Sequence, residues 1–407
     1  MSRKKILVLS FFPAFFPPGS GGELRLYNIC RNLAKYYDIT ILSFTYPNPD
    51  RKLEVYKLFN NVIEIRIPKS KLHDILHYIF YKFGHVPECS GAVVSIASNF
   101  DSNYKKLFNQ VIKGSHILIS THPYLYKKVK DKMVIYESYN MEYYLQKKAF
   151  GNSIIAKILS WYVYYIEEHA CTSSDMIFAV SDDDINDFHN VYKISLNKIF
   201  LAPNGVDLAE IKILKDFEKY EYKKKLGLNN AKALLFFGSA HPPNIDAAKS
   251  IIDNFAPLLP EYTFLIAGKV SDFITSHVPN NVRIYGVVDD ETKKLLFNAS
   301  DAALNPMTFG SGTNLKMLDY MAAGLPVITT PTGARGLDIV DNYHAIVCDI
   351  DKFEKNIVLL FKDEIIYKKL KEKGRKLVEE KYEWQKIANK MHTNIETYYE
   401  KKNSRFE

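Results

Sequence analysis

The chain has 407 residues, more than one hydrophobic core usually supports, so two domains are the expectation. With 47% apolar and 25% charged residues it has an ordinary globular composition, and no apolar run reaches the roughly 18 residues of a membrane-spanning helix. The net charge of +8 is uneven: residues 1–150 hold 22 Lys and Arg against 11 Asp and Glu, a balance of +11, which leaves about −3 for the rest. A basic N-terminal half suits an acidic acceptor or an anionic membrane surface, with solvated lysines as the plain alternative. No nucleic-acid-binding motif accompanies the charge, so nucleic acid is not expected as a partner.

The apolar stretch Ile6–Ser10 is too short for a signal-peptide core and reads as a first buried strand. Four scattered cysteines (Cys30, Cys89, Cys171, Cys348) lack metal-ligand spacing and point to reduced thiols in a cytoplasm, with no metal site. Short apolar runs then alternate with helical patterns, as in parallel α/β proteins. One set of strands is expected at 6–10, 39–44, 62–67, 117–120, 134–136, 177–181 and 199–202. A second is expected at 234–238, 264–268, 282–286, 302–305, 327–330 and 345–348. Near-continuous apolar strands of this kind belong to sheets covered on both faces. Pro203-Asn204-Gly205 and the charged segment 212–225 between the sets suggest a hinge near 205–230. The expected domains are 1–205, 206–382 and a C-terminal helix over 383–407 that packs back on the first.

Along the chain, the first strand leads to Gly19-Ser20-Gly21-Gly22-Glu23-Leu24-Arg25 at the mouth of a helix. This is not the Gly-x-Gly-x-x-Gly turn of a dinucleotide oxidoreductase. Gly21 and Gly22 offer close backbone approach, and Arg25 reads as facing a phosphate or acceptor, or as a solvated side chain. Leu72, Ile75, Leu76, Ile79, Phe80 and Phe83 form a stripe at helical spacing among lysines, read either as packing on its own sheet or as lying on a membrane. His122 ends an apolar strand, where side chains enter the ligand crevice of α/β proteins, and can donate to a sugar hydroxyl or steady a partial charge. A capping histidine is the bland alternative. Asn140 and Glu142 follow the next strand.

In the second half, Gly310-Ser311-Gly312-Thr313-Asn314 feeds a helix that opens with Leu315 and Lys316. Such a loop presents backbone N–H groups and the positive end of a helix dipole, which suits a phosphate. Asp319, further along that helix, is placed to accept hydrogen bonds from hydroxyls such as a ribose diol. Lys316 stands in the first turn, where a cation is unfavourable unless an anion is bound there. Arg335, after the strand that follows, is the competing cation.

The string from 310 to 330 resembles the donor-sugar motif of the family 4 (group 1) retaining glycosyltransferases, written Glu, seven residues, Glu, then Ala-Met-Ala-x-Gly-x-Pro-Val. Asp319 takes the second acidic position, and Ser311 stands at the first. That departure is shared with the branch written Gly-(Ser/Gly)-Gly-Thr-x-Leu-Lys-x-Leu-Glu. The strand-loop Leu234–Asn244 resembles the one where many members hold an Arg and, five residues on, a Lys for the diphosphate; here these are Ser239 and Asn244. Tyr139 stands where the family often has His. The resemblance implies an α/β GT-B fold of two Rossmann-like domains, with parallel sheets facing an interdomain cleft. It implies donor binding by Gly21, Gly22, Gly238, Asn244, Ser311, Gly312, Thr313, Asn314, Leu315, Asp319 and Arg335, and acceptor binding by Arg25, Asn140 and Glu142. His122 and Lys316 become the candidate catalytic residues.

The expected activity is transfer of a sugar, with retention, from a nucleotide-diphosphate sugar to a glycan, lipid-linked or protein acceptor. The donor is a co-substrate; no other cofactor and no metal is expected. The expected location is the cytoplasm, with contact at the inner membrane face as an option. A sugar-nucleotide epimerase and a non-catalytic partner subunit that binds donor or glycan are the rival readings.

Overall fold

The computed structural model describes residues 3–46, 50–209, 211–228, 230–275, 277–310 and 312–404. They form two compact units, one of residues 1–203 with 387–407 and the other of residues 204–386. The strands of the first unit are β1 (Lys5–Ser10), β2 (Asp38–Thr45), β3 (Glu54–Phe59), β4 (Val62–Pro68), β5 (Ile117–Ser120), β6 (Met133–Glu137), β7 (Met176–Ala179) and β8 (Ile199–Leu201). Those of the second are β9 (Lys232–Phe237), β10 (Tyr262–Ala267), β11 (Val282–Ile284), β12 (Ala302–Asn305), β13 (Val327–Thr329) and β14 (Ile346–Val347). Both units are α/β.

The first sheet runs β3-β4-β2-β1-β5-β6-β7-β8, parallel throughout except that β3 pairs antiparallel with β4. From β1 the chain builds outward to β2 and then returns to place β5 on the other side of β1. The order of strands therefore reverses between β1 and β5, and the loops leaving their carboxyl ends bound a crevice. Those loops carry residues 11–22 after β1 and His122 after β5. Helix Gly21–Leu33 starts at Ser20, whose side chain accepts from Glu23 N at 3.3 Å, while Glu23 accepts Gly19 N at 2.6 Å.

The second sheet runs β11-β10-β9-β12-β13-β14 and is wholly parallel. Successive residues of β9 face opposite sides: Leu234 and Phe236 enter one core cluster, Ala233 and Leu235 the other. Both faces are thus covered, as the unbroken apolar strands require. Here the order reverses between β9 and β12, so the loops after Phe237 and after Asn305 bound the second unit's crevice. The charged segment read as part of a hinge contains the helix Asp216–Lys225. It belongs to the second unit, where Lys219 and Lys223 both pair with buried Asp301, at 3.2 and 2.6 Å. Trp384–Asn403 is a single helix, and its C-terminal part lies with the first unit. There Tyr36 stacks on His392 at 3.8 Å and Tyr37 donates to Glu396 at 2.8 Å.

Candidate functional site

The second unit's crevice is assembled from its two reversal-point loops. After β9 the backbone is tight: a Cβ on Gly238 would lie 3.1 Å from Val270, and one on Gly268 would overlap Gly238 O at 2.2 Å. The chain then enters the helix Pro242–Ser250, and buried Asn244 turns its amide nitrogen back to Ser239, at 2.9 Å from Oγ. That leaves Asn244 Oδ1 to accept from Lys316 Nζ. The ammonium also lies 4.5 Å from the centre of the Phe236 ring. Lys316 reaches this point because its helix, Leu315–Ala322, is anchored one turn later, where Tyr320 Oη accepts from Phe237 N at 2.7 Å.

The ammonium has partners of the wrong kind for a resting cation: an amide oxygen and an aromatic face, with no carboxylate in an ion pair among the described residues. Burial pushes its pKa down from 10.5 to about 7. At neutral pH it is poised between charged and neutral.

The glycine loop supplies the other half. Gly310 (φ 140°) and Gly312 (φ 73°) have left-handed backbones that favour glycine. Arg335 spans them, donating from Nη1 to Gly310 O and from Nη2 to Gly312 O, each at 3.1 Å. Gly336 (φ 74°) packs so closely that a Cβ would sit 2.7 Å from Thr313 Oγ1. Asn314 precedes the helix without capping it, its amide donating instead to Gly333 O at 3.2 Å. Nothing from the cap side chain therefore covers the first-turn N–H groups near Leu315, where an anion would bind. Asp319 is half-buried and pairs with Lys293 at 3.2 Å. Ser311 lies outside the described residues.

In the first unit the expected residues take different parts. His122 is boxed by aromatic rings, with Phe11 at 4.7 Å and Tyr139 at 4.6 Å between centroids. Its Nδ1 is 3.0 Å from Thr121 Oγ1 and its Nε2 is 3.9 Å from Glu142 Oε1. Burial, with Arg25 adding to it, pushes its pKa down to about 3, so the ring is neutral. Glu142 accepts from Tyr124 Oη at 2.7 Å, and burial raises its pKa. Asn140 is partly exposed just ahead of that helix. Gly22 has no room for a side chain, since a Cβ would lie 3.0 Å from the Phe12 ring, whereas Gly21 is exposed.

Arg25 departs from its expected role. It is 1% exposed, donates to Glu137 Oε1 at 3.1 Å and to Pro203 O at 2.9 Å, and lies 5.2 Å from the Tyr139 ring. A guanidinium bonded in this way helps hold the unit together.

Sequence reasoning also missed Glu167. Buried under the helix Glu142–Ala149, it accepts from Glu142 N, Tyr143 N, Tyr136 Oη and Tyr192 Oη at 2.8–2.9 Å. A glutamate inside an apolar helical run (Ile166-Glu167) was the available signal, because such a charge needs buried donors. Phe236 and Lys293 were missed as well, since their roles depend on side chains far away in sequence.

Residues 231–363 match the family model described as glycosyl transferases group 1. A protein of Methanocaldococcus jannaschii, a glycosyltransferase by name, is 20% identical over 95% of this chain and 96% of its own. YtcC of Bacillus subtilis, also a glycosyltransferase by name, is 22% identical over 97% of this chain and 92% of its own. Among solved structures, sucrose-phosphate synthase of Thermosynechococcus elongatus superposes with a TM-score of 0.69 at 14% identity, over 98% of this chain and 99% of that one. HepE of Anabaena, crystallised with UDP and glucose, superposes with a TM-score of 0.64 at 13% identity, over 97% of this chain and 100% of its own. The family match thus lies within the second unit, and the chain has the GT-B fold of these structures.

Proposed function

We propose that the protein transfers a sugar, with retention of configuration, from a nucleotide-diphosphate sugar to a hydroxyl-bearing glycan, lipid-linked or protein acceptor. The observation that carries this reading is Lys316: a cation held by Asn244 beside an open helix N-terminus, with no carboxylate partner among the described residues. A diphosphate supplies the missing charge.

The second unit holds the donor. The backbone from Gly312 to Leu315 meets the phosphates, Arg335 keeps that loop in shape, and Asp319 takes the ribose hydroxyls. When the bond between the anomeric carbon and the diphosphate oxygen breaks, its electron pair leaves with the diphosphate. In this reading Lys316 and the first-turn N–H groups stabilise the charge that grows on the phosphate oxygens. The acceptor oxygen forms the new bond to the same carbon on the same face, and its proton passes to the departing phosphate. The chain's own cations do this without a divalent ion. His122 works as a neutral imidazole, suited to a hydrogen bond with a sugar hydroxyl and not to carrying charge. With all four cysteines free, the cytoplasm suits the protein.

The test is incubation of the purified chain with a panel of UDP- and GDP-sugars, with and without acceptor extracts, followed by product anomer assignment by NMR. Acceptor-dependent release of nucleotide with a retained anomer is the expected result. An isomerised donor would mean an epimerase, and donor binding without turnover under any acceptor would mean a non-catalytic subunit.

A further inference from the structure

Two adjoining helical segments of the first unit carry apolar side chains that nothing in that unit covers. The helix Ile154–Ser173 buries Ala156, Leu159 and Val163 but leaves Ile154, Ile158, Trp161 and Tyr165 between 61% and 78% exposed. Their spacing of four, three and four residues makes one stripe along the helix. The segment of helix Lys71–Tyr78 and its continuation Ile79–Phe83 likewise leaves Tyr78, Tyr81 and Phe83 between 51% and 65% exposed. The two segments touch: Ser153 Oγ donates to Gly84 O, and a Cβ on Gly84 would lie 2.9 Å from Ile155. Of the stripe read from the sequence at 72–83, Leu76 and Phe80 pack partly against a core cluster of this unit, while Ile75, Ile79 and Phe83 stay exposed. Single exposed apolar residues are ordinary, but a stripe on one helix beside three more exposed aromatic side chains on a segment touching it marks a docking surface.

The charges indicate what docks there. From Tyr143 to Ile166 there is no Asp or Glu, while Lys147, Lys148 and Lys157 are present and exposed. Residues 71–83 add Lys71 and Lys82 against one acid, Asp74, which is already ion-paired with Arg51. A two-fold pairing with a second copy would set these lysines against their counterparts. Trp and Tyr at the rim of an apolar stripe, flanked by lysines, instead match the boundary between water and anionic lipid headgroups.

We propose that the first unit docks through this face on the surface of a bilayer carrying anionic headgroups. Docking needs no catalysis, so it stands or falls separately from the glycosyltransferase reading. If both hold, the acceptor is met at the membrane.

The test is co-sedimentation of the full chain with phosphatidylcholine vesicles, with and without phosphatidylglycerol. The wild type is expected to sediment with the anionic vesicles, less so at high salt, and to stay in solution with the neutral ones. The Ile158→Glu, Trp161→Glu double variant should bind at least about tenfold more weakly, with its far-UV circular dichroism unchanged. A milder Trp161→Ser variant serves if the double variant misfolds. Three results would each overturn the proposal: a wild type that stays in solution, folded variants that sediment like wild type, or a wild-type dimer that Trp161→Glu turns into a monomer.

Discussion

Lys316 Nζ donates to Asn244 Oδ1 across 72 positions of sequence. Asn244 stands where the resembling family usually has a lysine for the diphosphate, so the chain brings a lysine to that place from the facing helix. The pair ties together the two loops that leave the reversal point of the second sheet.

The first prediction concerns protons. Free Lys316 has its pKa pushed down to about 7 by burial, and a neighbouring diphosphate draws it back up. Donor binding near pH 8 should therefore take up a fraction of a proton per site, and affinity should fall by less than about tenfold in all as pH rises above 7. Calorimetry at pH 8 in two buffers of different ionisation heat reads this directly, and Lys316→Met should abolish the uptake. The sign for stability is opposite to that for affinity. Between pH 7 and 10.5 the unfolded lysine keeps a proton that the folded one has lost, so the apo protein gains stability as pH rises through that window.

Asp319 is predicted to hold the ribose. Asp319→Ala should weaken donor binding by about 1.5–3 kcal/mol, the range for a hydrogen bond to a charged group. Lys293→Ala removes a partly exposed ion pair but leaves the carboxylate in place, and should change affinity by less than about 1 kcal/mol. Unchanged donor affinity in Asp319→Ala would remove that residue from the site.

The strand set was legible because strands buried on both faces are unbroken apolar runs, and every expected run became a strand. The exception was β3, Glu54–Phe59, an edge strand whose side chains are exposed or only half-buried, and which lacks that signature. Roles that depend on distant partners were harder to read. Arg25 looks like an anion ligand until Glu137, 112 residues away, neutralises it. Arg335 read as the competing cation, behind Lys316, and the fold shows two of its donors spent on the carbonyls of Gly310 and Gly312. Lys316 was legible because a cation in a helix's first turn opposes the dipole and needs a reason to be there.

Glu167 is predicted to hold up the acceptor side of the first unit. Gln offers one acceptor oxygen to four buried donors, so Glu167→Gln should cost about 2–4 kcal/mol in urea unfolding. Burial, then Glu142, raises the Glu167 pKa from 4.5 to about 7. The folded state thus binds this proton more tightly than the unfolded, and the contribution is full below pH 4.5 and lost as pH rises through 7. The Gln variant should lack that slope. Beyond stability, a loosened helix Glu142–Ala149 should raise the acceptor KM more than it lowers kcat.

The central claim is that Lys316 carries charge to the departing diphosphate while Arg335 only shapes the loop. The measurement is kcat and donor Kd for Lys316→Ala beside Arg335→Ala, with a sugar nucleotide and acceptor that the wild type turns over. Lys316→Ala should lower kcat by about 10²–10³, as for losing one preorganised stabiliser of transition-state charge. Its donor affinity should fall far less, since that charge grows only as the bond breaks. Arg335→Ala should act mainly on donor affinity. The account is contradicted if Arg335→Ala abolishes transfer while Lys316→Ala turns over near the wild-type rate.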